Sequence, residues 1–546
     1  MRKLLLFIVL IYSSISISQE HAWVYLIDKP NSASALANPI SILTQNALDR
    51  KAAHNVAIDF RDVPVDENYI STIKSQPGIS VMAKSKWFNA LHVIGTQTDI
   101  NALTTLTVNG VTIVNTIDFA DNSLNTRTSQ TTQNQDKHEL EASLTTFIYG
   151  SSANQIEMFN GDLLHQHVNS YTGTDMVVAV LDAGFPDVDT MNGFQRLRDA
   201  SGILGGYDFV DRNTDVYAYQ GNSHGTWVLS DMAGFVQDQF VGTAPDAKYY
   251  LFRTENAASE TPLEESLWVE AAERADSLGV HVINSSLGYT TFDNSNYSYT
   301  PAEMDGNTAY ISKGANIAHE KGILVVNSAG NYGNGSWQVV GAPADAAGVF
   351  SIGAVKADGT YASFSSQGSS AQPTQKPDVV AQGQASFVIL NNDVISTLNG
   401  TSFSSPIMAG GIVCLWQALP SFSNAEIMQL VRESASQYNA PDNLLGYGIP
   451  DLSLALAQGL SIVEFQNENT ILKVFPNPVE NQLTIQIPSQ FEEAQVRIYD
   501  ILGKKVMDTK VTAINQDINT STLSKGVYLV KIEAEGFSAI KKIIKN

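Results

Sequence analysis

The sequence predicts an α/β chain in which a parallel sheet flanked by helices is preceded by a small α+β domain and followed by a small antiparallel β-sandwich. Three observations carry this. Between residues 148 and 459 short β-rich apolar runs alternate with helical segments, and runs that are apolar almost throughout suit strands buried on both faces. Ahead of them, residues 22–120 mix short strands with amphipathic helices. After Glu464 helical periodicity gives way to alternating strands punctuated by glycine and proline. The 546 residues leave room for about three domains of ordinary size.

Taken in order, residues 1–18 have the layout of a secretory signal peptide: Arg2 and Lys3, an apolar run from Leu4, then small residues up to Ser18. The run is shorter than the ~20 apolar residues a spanning helix needs, and no later segment spans a membrane. Residues 19–120 form the α+β domain, with strands expected at 23–27, 79–82, 91–95 and 108–114 and helices at 69–74 and 99–106. Residues 121–144 are rich in Asn, Gln, Ser and Thr and poor in large apolar side chains, so they read as a linker. Residues 145–463 form the parallel-sheet domain, with strands at 176–181, 248–252, 280–284, 323–327 and 349–352. Catalytic groups in such sheets gather at the carboxyl ends of strands. Residues 464–546 form the sandwich, with strands at 483–487, 496–499 and 527–532, reached through a polar joint at 466–470. No solenoid repeat is present.

Charge and cysteine usage narrow the function. The net charge of −23 repels phosphate backbones and anionic bilayers, which excludes nucleic acid as a partner. The lone cysteine, Cys414, excludes an intrachain disulfide framework, so stability must come from packing. Cys414 itself lies in an apolar run and reads as buried packing.

Three segments each place one reactive side chain at a strand end or helix start: Val180-Leu181-Asp182-Ala183-Gly184, Ser223-His224-Gly225-Thr226 and Gly400-Thr401-Ser402-Phe403-Ser404-Ser405-Pro406. Singly, each has an ordinary reading as turn former, structural histidine or helix cap. Together they give the order Asp, His, Ser with spacings of 42 and 178 residues. That is the order of subtilisin, and neither chymotrypsin nor the α/β-hydrolases share it.

Across residues 145–460 the chain resembles the subtilisin family of serine peptidases, which implies a subtilisin-like parallel sheet. The resemblance assigns Ser402 as nucleophile, His224 as general base and Asp182 as the group that orients and stabilises the imidazolium. It assigns Asn331, in Val325-Val326-Asn327-Ser328-Ala329-Gly330-Asn331, as an oxyanion donor partnered by the Ser402 backbone N–H. Substrate binding falls to Ser285, Ser286, Leu287, Gly288, Ala329 and Gly330. Three residues depart from the family pattern: Ala183 where a hydroxyl is usual, Phe403 where methionine is common, and Trp227 after His224. No cofactor is required. Calcium is often bound in the family, but no residue here is assigned to it. Asp211, Asn213 and Asp215 open an EF-hand-like alternation that fails at Val216 and Asn222, where glycine and a bidentate glutamate are needed. His165 and His167 lack a third ligand and read as surface polar groups.

Trp87-Phe88-Asn89-Ala90-Leu91-His92-Val93 resembles the inhibitory propeptide of the same family. Phe475-Pro476-Asn477-Pro478, Tyr499-Asp500-Ile501-Leu502-Gly503, Leu523-Ser524-Lys525-Gly526-Val527-Tyr528 and Lys541, Lys542 and Lys545 resemble the C-terminal sorting domain of the type IX secretion system of Bacteroidetes. The resemblances imply a serine endopeptidase made as a preproenzyme, working through an acyl-enzyme. It would be exported through the periplasm to the cell surface or medium. Its partners would be polypeptide substrates, its own propeptide and the type IX machinery. The rival reading is a catalytically dead surface module that binds peptides; a binding module has no need of Asp182, His224, Asn331 and Ser402 together.

Overall fold

Apolar runs become the inner strands of a seven-stranded parallel sheet. In the computed structural model, which describes residues 19–121, 147–487, 491–500, 504–512, 516–534 and 537–546, the chain divides into two units, Met1–Leu456 and Ala457–Asn546. The signal peptide at 1–18, nearly all of the linker at 121–144, and Ile501, Leu502 and Gly503 lie outside the described residues. Among the described residues no helix is long and apolar enough to cross a membrane.

The N-terminal domain is a four-stranded antiparallel sheet of β1 (Glu20–Leu26), β2 (Ser80–Ser85), β3 (Ala90–Gly95) and β4 (Val114–Phe119) in the order β2-β3-β1-β4, with helices α1 (Gln45–Ala53) and α2 (Glu67–Lys74). The strand expected at 108–114 is instead a tight hairpin, Thr107–Val108 with Val111–Thr112, followed by β4. Its cause is Asn109-Gly110, both at positive φ (52° and 80°), the favoured two-residue hairpin turn. The helix expected at 99–106 is an α-helical turn and a half, Gln97–Ala102, that tightens into a 3-10 turn, Leu103–Thr105.

The large sheet comprises β5 (Val177–Asp182), β6 (Ile203–Asp208), β7 (Lys248–Arg253), β8 (Val282–Ser285), β9 (Leu324–Ser328), β10 (Val349–Val355) and β11 (Val379–Gln382), in the order β11-β10-β9-β8-β5-β7-β6, every pair parallel. All residues of β5, β9 and β10 are buried, as strands covered on both faces require. The register sets Leu181 opposite Ser285, Ser285 opposite Asn327 and Asp182 opposite Arg253, so these strands deliver their carboxyl ends to one edge. Helices α3 (His224–Ala233), α4 (Pro262–Leu278), α5 (Tyr310–Glu320) and α6 (Thr401–Ala418) follow strands of this sheet. A further helix, α7 (Leu452–Ile471), runs through the segment read as a polar joint. Polarity does not stop a helix; Gln466 and Glu468 there are good helix formers, and the segment holds neither glycine nor proline.

Both sheets of the second unit are antiparallel. One sheet joins Lys473–Phe475, Gln482–Gln486 and Asp517–Asn519; the other joins Lys505–Thr512, Glu493–Asp500, Gly526–Ala534 and Phe537–Lys545. Leu483, Ile485, Val496, Ile498, Val530, Ile532 and Ile543 bury its core.

The N-terminal sheet docks on α4 and α5. The Trp23 ring stacks on Tyr310 with centroids 4.5 Å apart, its indole N–H donates to Ser266 Oγ at 2.8 Å, and one hydrophobic cluster joins Trp23 and Trp87 to Trp268. The Glu273 carboxylate accepts the backbone N–H groups of Lys86 (2.8 Å) and Trp87 (2.9 Å). A desolvated charge network completes the joint. Asp276 takes Arg50 at 2.6 Å and Lys51 at 2.8 Å, while Lys321 reaches back to Asp62 at 2.7 Å and Asp59 at 2.8 Å. Removing the shared anion leaves Arg50 without its carboxylate and Lys51 with only Asp62, at 3.2 Å, and breaking a buried pair in this way costs about 3–5 kcal/mol. Asp276→Asn is therefore expected to accelerate amide exchange across β2 and at Trp87 by two orders of magnitude or more, with β5 to β11 unchanged. Parental exchange at Trp87 would show that the network does not hold the domain.

Candidate active site

His224 opens α3, and the helix start is pressed against the end of β5. A side chain at position 225 would meet Gly184 O at 2.5 Å and Asp182 Cβ at 2.9 Å, so only glycine permits this approach. Asn222 Oδ1 accepts the His224 backbone N–H at 2.8 Å. The imidazole thereby stands with Nδ1 2.8 Å from Asp182 Oδ1; the aspartate is fully buried and the histidine side chain remains 26% exposed toward the cleft. Burial lowers the proton affinity of His224, but the charge of Asp182 and its hydrogen bond outweigh that, leaving the ring above the ordinary histidine value of 6.5. Asp182 Oδ1 also accepts the Ala183 N–H at 2.7 Å, while Oδ2 is buried with no partner among the described residues. That orphan is the counterpart of the departure at Ala183, where a hydroxyl could have donated.

The nucleophile helix begins from a backbone that glycine alone adopts readily: Gly400 has φ 154° and ψ 150°. Of the three serines that follow, Ser404 and Ser405 are buried and bonded to Thr401 O and Asn284 Oδ1, whereas Ser402 is half-buried and reaches the surface. The Phe403 ring lies 6.0 Å from the His224 ring, centroid to centroid. Pro406 sits inside α6 and has no N–H for the Ser402 carbonyl four residues back; Ser286 Oγ donates to that carbonyl instead, at 2.8 Å.

Asn331 is exposed, and its orientation is fixed by what its carbonyl accepts. Oδ1 takes the Thr401 N–H at 2.9 Å and the Thr401 hydroxyl at 3.0 Å, which turns Nδ2 the other way. A Cβ added to Gly400 would lie 3.6 Å from Asn331 Nδ2 and 3.6 Å from the Ser402 backbone N. The Asn331 amide nitrogen and the Ser402 backbone nitrogen thus border the same space that glycine leaves open.

The expected substrate-binding residues divide. Leu287 lines the cleft and its carbonyl accepts Asn327 Nδ2 at 2.9 Å; Gly288 is half-buried beside it, with Ala342 O 3.8 Å from where a Cβ would stand. Ser286 ties the strand to the nucleophile helix. Ser285 faces the helix layer, its hydroxyl accepting the Trp268 indole N–H at 2.9 Å. The N–H groups of Ala329 and Gly330 are used within the frame, on Ile352 O (3.0 Å) and Thr401 Oγ1 (3.1 Å).

A cleft of about 660 Å³ runs past His224, bounded by Ala183, Asn222, Trp227, Glu255 and Leu287. The Trp227 indole donates to Asn391 Oδ1 at 2.9 Å. Glu255 was not anticipated. It follows β7 by two residues, and burial pushes its carboxyl up to about 8. The pairing of Arg253 with Asp182 is what carries it into the cleft, a register that local sequence does not reveal.

His165 is a correction: it is buried, with Nδ1 2.9 Å from the Tyr149 hydroxyl and Nε2 3.1 Å from Thr243 O, and burial lowers it to about 4. His167 is half-exposed and stacks on Tyr171. Cys414 is buried, its thiol donating to Thr243 O at 3.2 Å. Asp211 pairs with Arg253 at 2.8 Å, and Asn213 and Asp215 accept backbone N–H groups two residues on, so the alternation there is a run of turns rather than a cation loop. Among the described residues no group of three or more His, Cys, Asp or Glu is arranged to hold a metal ion, and no calcium ligand is assigned.

Against known proteins, the subtilase family model matches residues 173–448, a peptidase S8 propeptide domain of Bacteroidota matches residues 21–138, and a secretion system C-terminal sorting domain matches residues 473–546. The alkaline protease of Alkalihalobacillus alcalophilus is 30% identical over 290 residues, which is 53% of this chain and 66% of that protein; the chain spans just under two thirds of its length. Subtilisin Savinase of Lederbergia lenta is 30% identical over 290 residues, 53% of this chain and 93% of that protein. Among solved structures, the epidermin leader peptide processing serine protease of Staphylococcus aureus matches with a TM-score of 0.51 at 16% identity, covering 80% of this chain and 98% of that one, a likeness of fold.

The geometry of His224 sets a titration. Its imidazole is expected to titrate above 6.5 by NMR, and Asp182→Asn, which removes the raising charge and leaves the burial, should bring it below 6.5. A value unmoved by that substitution would mean that Asp182 does not control the ring.

Proposed function

The chain belongs to the subtilase family, and from that premise we propose that it is a secreted serine endopeptidase that cuts polypeptides through an Asp182–His224–Ser402 triad. Ser402 Oγ attacks the scissile carbonyl while His224 Nε2 takes its proton. Asp182 holds the Nδ1–H side and offsets the imidazolium charge. The tetrahedral oxyanion sits between Asn331 Nδ2 and the Ser402 N–H, in the space that Gly400 leaves open. His224 then returns the proton to the leaving amine. Water, activated by the same imidazole, hydrolyses the acyl-enzyme. The peptide lies extended along the Leu287–Gly288 backbone, held by main-chain hydrogen bonds that accept many sequences.

The N-terminal domain, which matches a family propeptide and docks on α4 and α5, acts as a folding aid and intramolecular inhibitor. The C-terminal unit, which matches a sorting domain, addresses the chain to the type IX machinery after passage through the periplasm. The observation that supports the catalytic reading is the Asp182–His224 hydrogen bond at 2.8 Å, with Asn331 Nδ2 and the Ser402 backbone nitrogen each 3.6 Å from the side-chain position that Gly400 leaves open.

A fluorophosphonate should label Ser402, located by mass spectrometry, and the wild-type chain should degrade an unfolded protein. Ser402→Ala should lose both, with hydrolysis down to background and the precursor unprocessed. Wild-type turnover in that variant would end the mechanism. Asn331→Ala should lower kcat with KM within a few-fold, because its amide acts as charge develops on the oxygen. The drop should be ~10²–10³-fold, the magnitude found when this donor is removed from subtilisin. An unchanged kcat would place the oxyanion donor elsewhere.

A further inference from the structure

We propose that Glu255 is a specificity-determining residue of the cleft, selecting a lysine or arginine side chain of the substrate close to the scissile bond; this rests on the peptidase reading above. The strand order puts β7 beside β5, and Arg253 pairs with Asp182 at their carboxyl ends. Two residues later Glu255 lines the cleft together with Ala183, His224 and Leu287. It is only 8% exposed. Its Oε1 is fixed by the hydroxyls of Thr254, at 3.0 Å, and Tyr289. Among the described residues none donates to Oε2, and that oxygen is not among the fully enclosed orphans, so it is open to the cleft.

The groups around it make its position costly. Asp182 on β5, Tyr289 after β8, Glu260 just before α4 and Glu264 in its first turn are acids, and His224 on α3 is a base whose proton affinity Glu255 raises. Arg253, the nearest arginine in sequence, is committed to Asp208 and Asp211 and lies over the Tyr219 ring at 3.5 Å. Glu255 has no ion-pair partner among the described residues. A buried carboxyl without a countercharge is held protonated by desolvation, and here it rises to about 8. A cation carried in by the substrate would supply the missing charge and displace the proton. Such a pair, screened from water, discriminates more strongly than one on an open surface. The small Ala183 lines the same cleft of about 660 Å³.

The charge logic fixes the sign of the pH effect. Below about 8 the empty cleft holds Glu255 neutral, and a basic substrate must expel its proton, so preference for a basic over a neutral side chain rises with pH and levels off above that value.

The test uses the processed protein and a matched set of quenched peptides carrying Lys, Arg, norleucine or Glu at each of the four positions before the cleaved bond. In the wild type at pH 8.5, kcat/KM for Lys or Arg should exceed norleucine at least tenfold at one position, and the ratio should shrink several-fold at pH 6.5. In Glu255→Gln the ratio should fall to within twofold of unity, and Glu255→Asp should keep part of it. An uncharged fluorophosphonate labelling Ser402 in each variant reports that the machinery is intact. No basic preference at any position in the wild type overturns the inference without need of a variant. So does a ratio that survives in Glu255→Gln, or a variant that loses basic and neutral peptides alike, which would make Glu255 a positioning residue. If the wild type cuts no peptide and Ser402 takes no label, the peptidase reading fails, and this inference with it.

Discussion

The 2.8 Å hydrogen bond between Asp182 Oδ1 and His224 Nδ1 is the contact on which the rest of the site depends, and it exists because the chain has no side chain at position 225. A parallel strand ends in Asp182; the next helix of the site must start almost on top of it for an imidazole to reach the carboxylate. Gly225 brings the backbones that close. The cost appears at Asp182 Oδ2, which is buried with no donor among the described residues. An orphan of this kind carries a penalty of about 1–3 kcal/mol. The packed sheet around β5 supplies the rigidity that keeps the carboxylate in place despite it.

Helix α4 serves two interfaces at once. Toward the sheet, Trp268 fixes Ser285 at the end of β8, next to the proposed substrate strand. Toward the N-terminal domain, Glu273 and Asp276 receive backbone N–H groups and buried cations. A desolvated ion network of this type stabilises little in net terms, because each charge loses its water on docking. Under the proposed propeptide role this suits release: on departure Asp276, Arg50, Lys51 and Lys321 would regain hydration, while the apolar stacking of Trp23 on Tyr310 is what would be given up. Fixed geometry for folding and modest net affinity for release are therefore compatible in one interface.

Much of this was legible before any coordinates. The five central runs read as buried strands all lie in the parallel sheet, because burial on both faces leaves a signal in each residue of β5, β9 and β10. The two sheet strands that were missed are the edges. β6 carries Gly205 and Gly206 and is partly exposed, while β11 is only four residues long. The helix through residues 466–470 was misread because polarity was taken for a break. His165 was taken for a surface group because a histidine satisfied by Tyr149 and Thr243 O shows no sequence sign of its distant partners. Asp182, His224 and Ser402 are proposed from their order along the chain and, with Asn331, from the resemblance to the subtilisin family; of these, Asp182 and His224 stand in direct hydrogen-bond contact. Glu255 could not be named in this way, since its place comes from strand order rather than from its neighbours in the chain.

That strand order puts two acids around one imidazole, and both act on its proton affinity. Asp182 and Glu255 each raise the proton affinity of His224, and the charge of Asp182 helps hold Glu255 protonated. While Glu255 is neutral, His224 feels one full negative charge and remains available as a base at a lower pH. When Glu255 ionises, the imidazole feels a second anion, and the same substrate cation that compensates Glu255 also cancels its pull on His224. Under the proposed chemistry the occupant of the cleft thus tunes the base that attacks it: a basic side chain restores the one-anion field in which His224 works best, whereas a neutral side chain at high pH leaves the extra charge in place. Selectivity and proton transfer become two readings of one electrostatic arrangement at the carboxyl ends of β5 and β7.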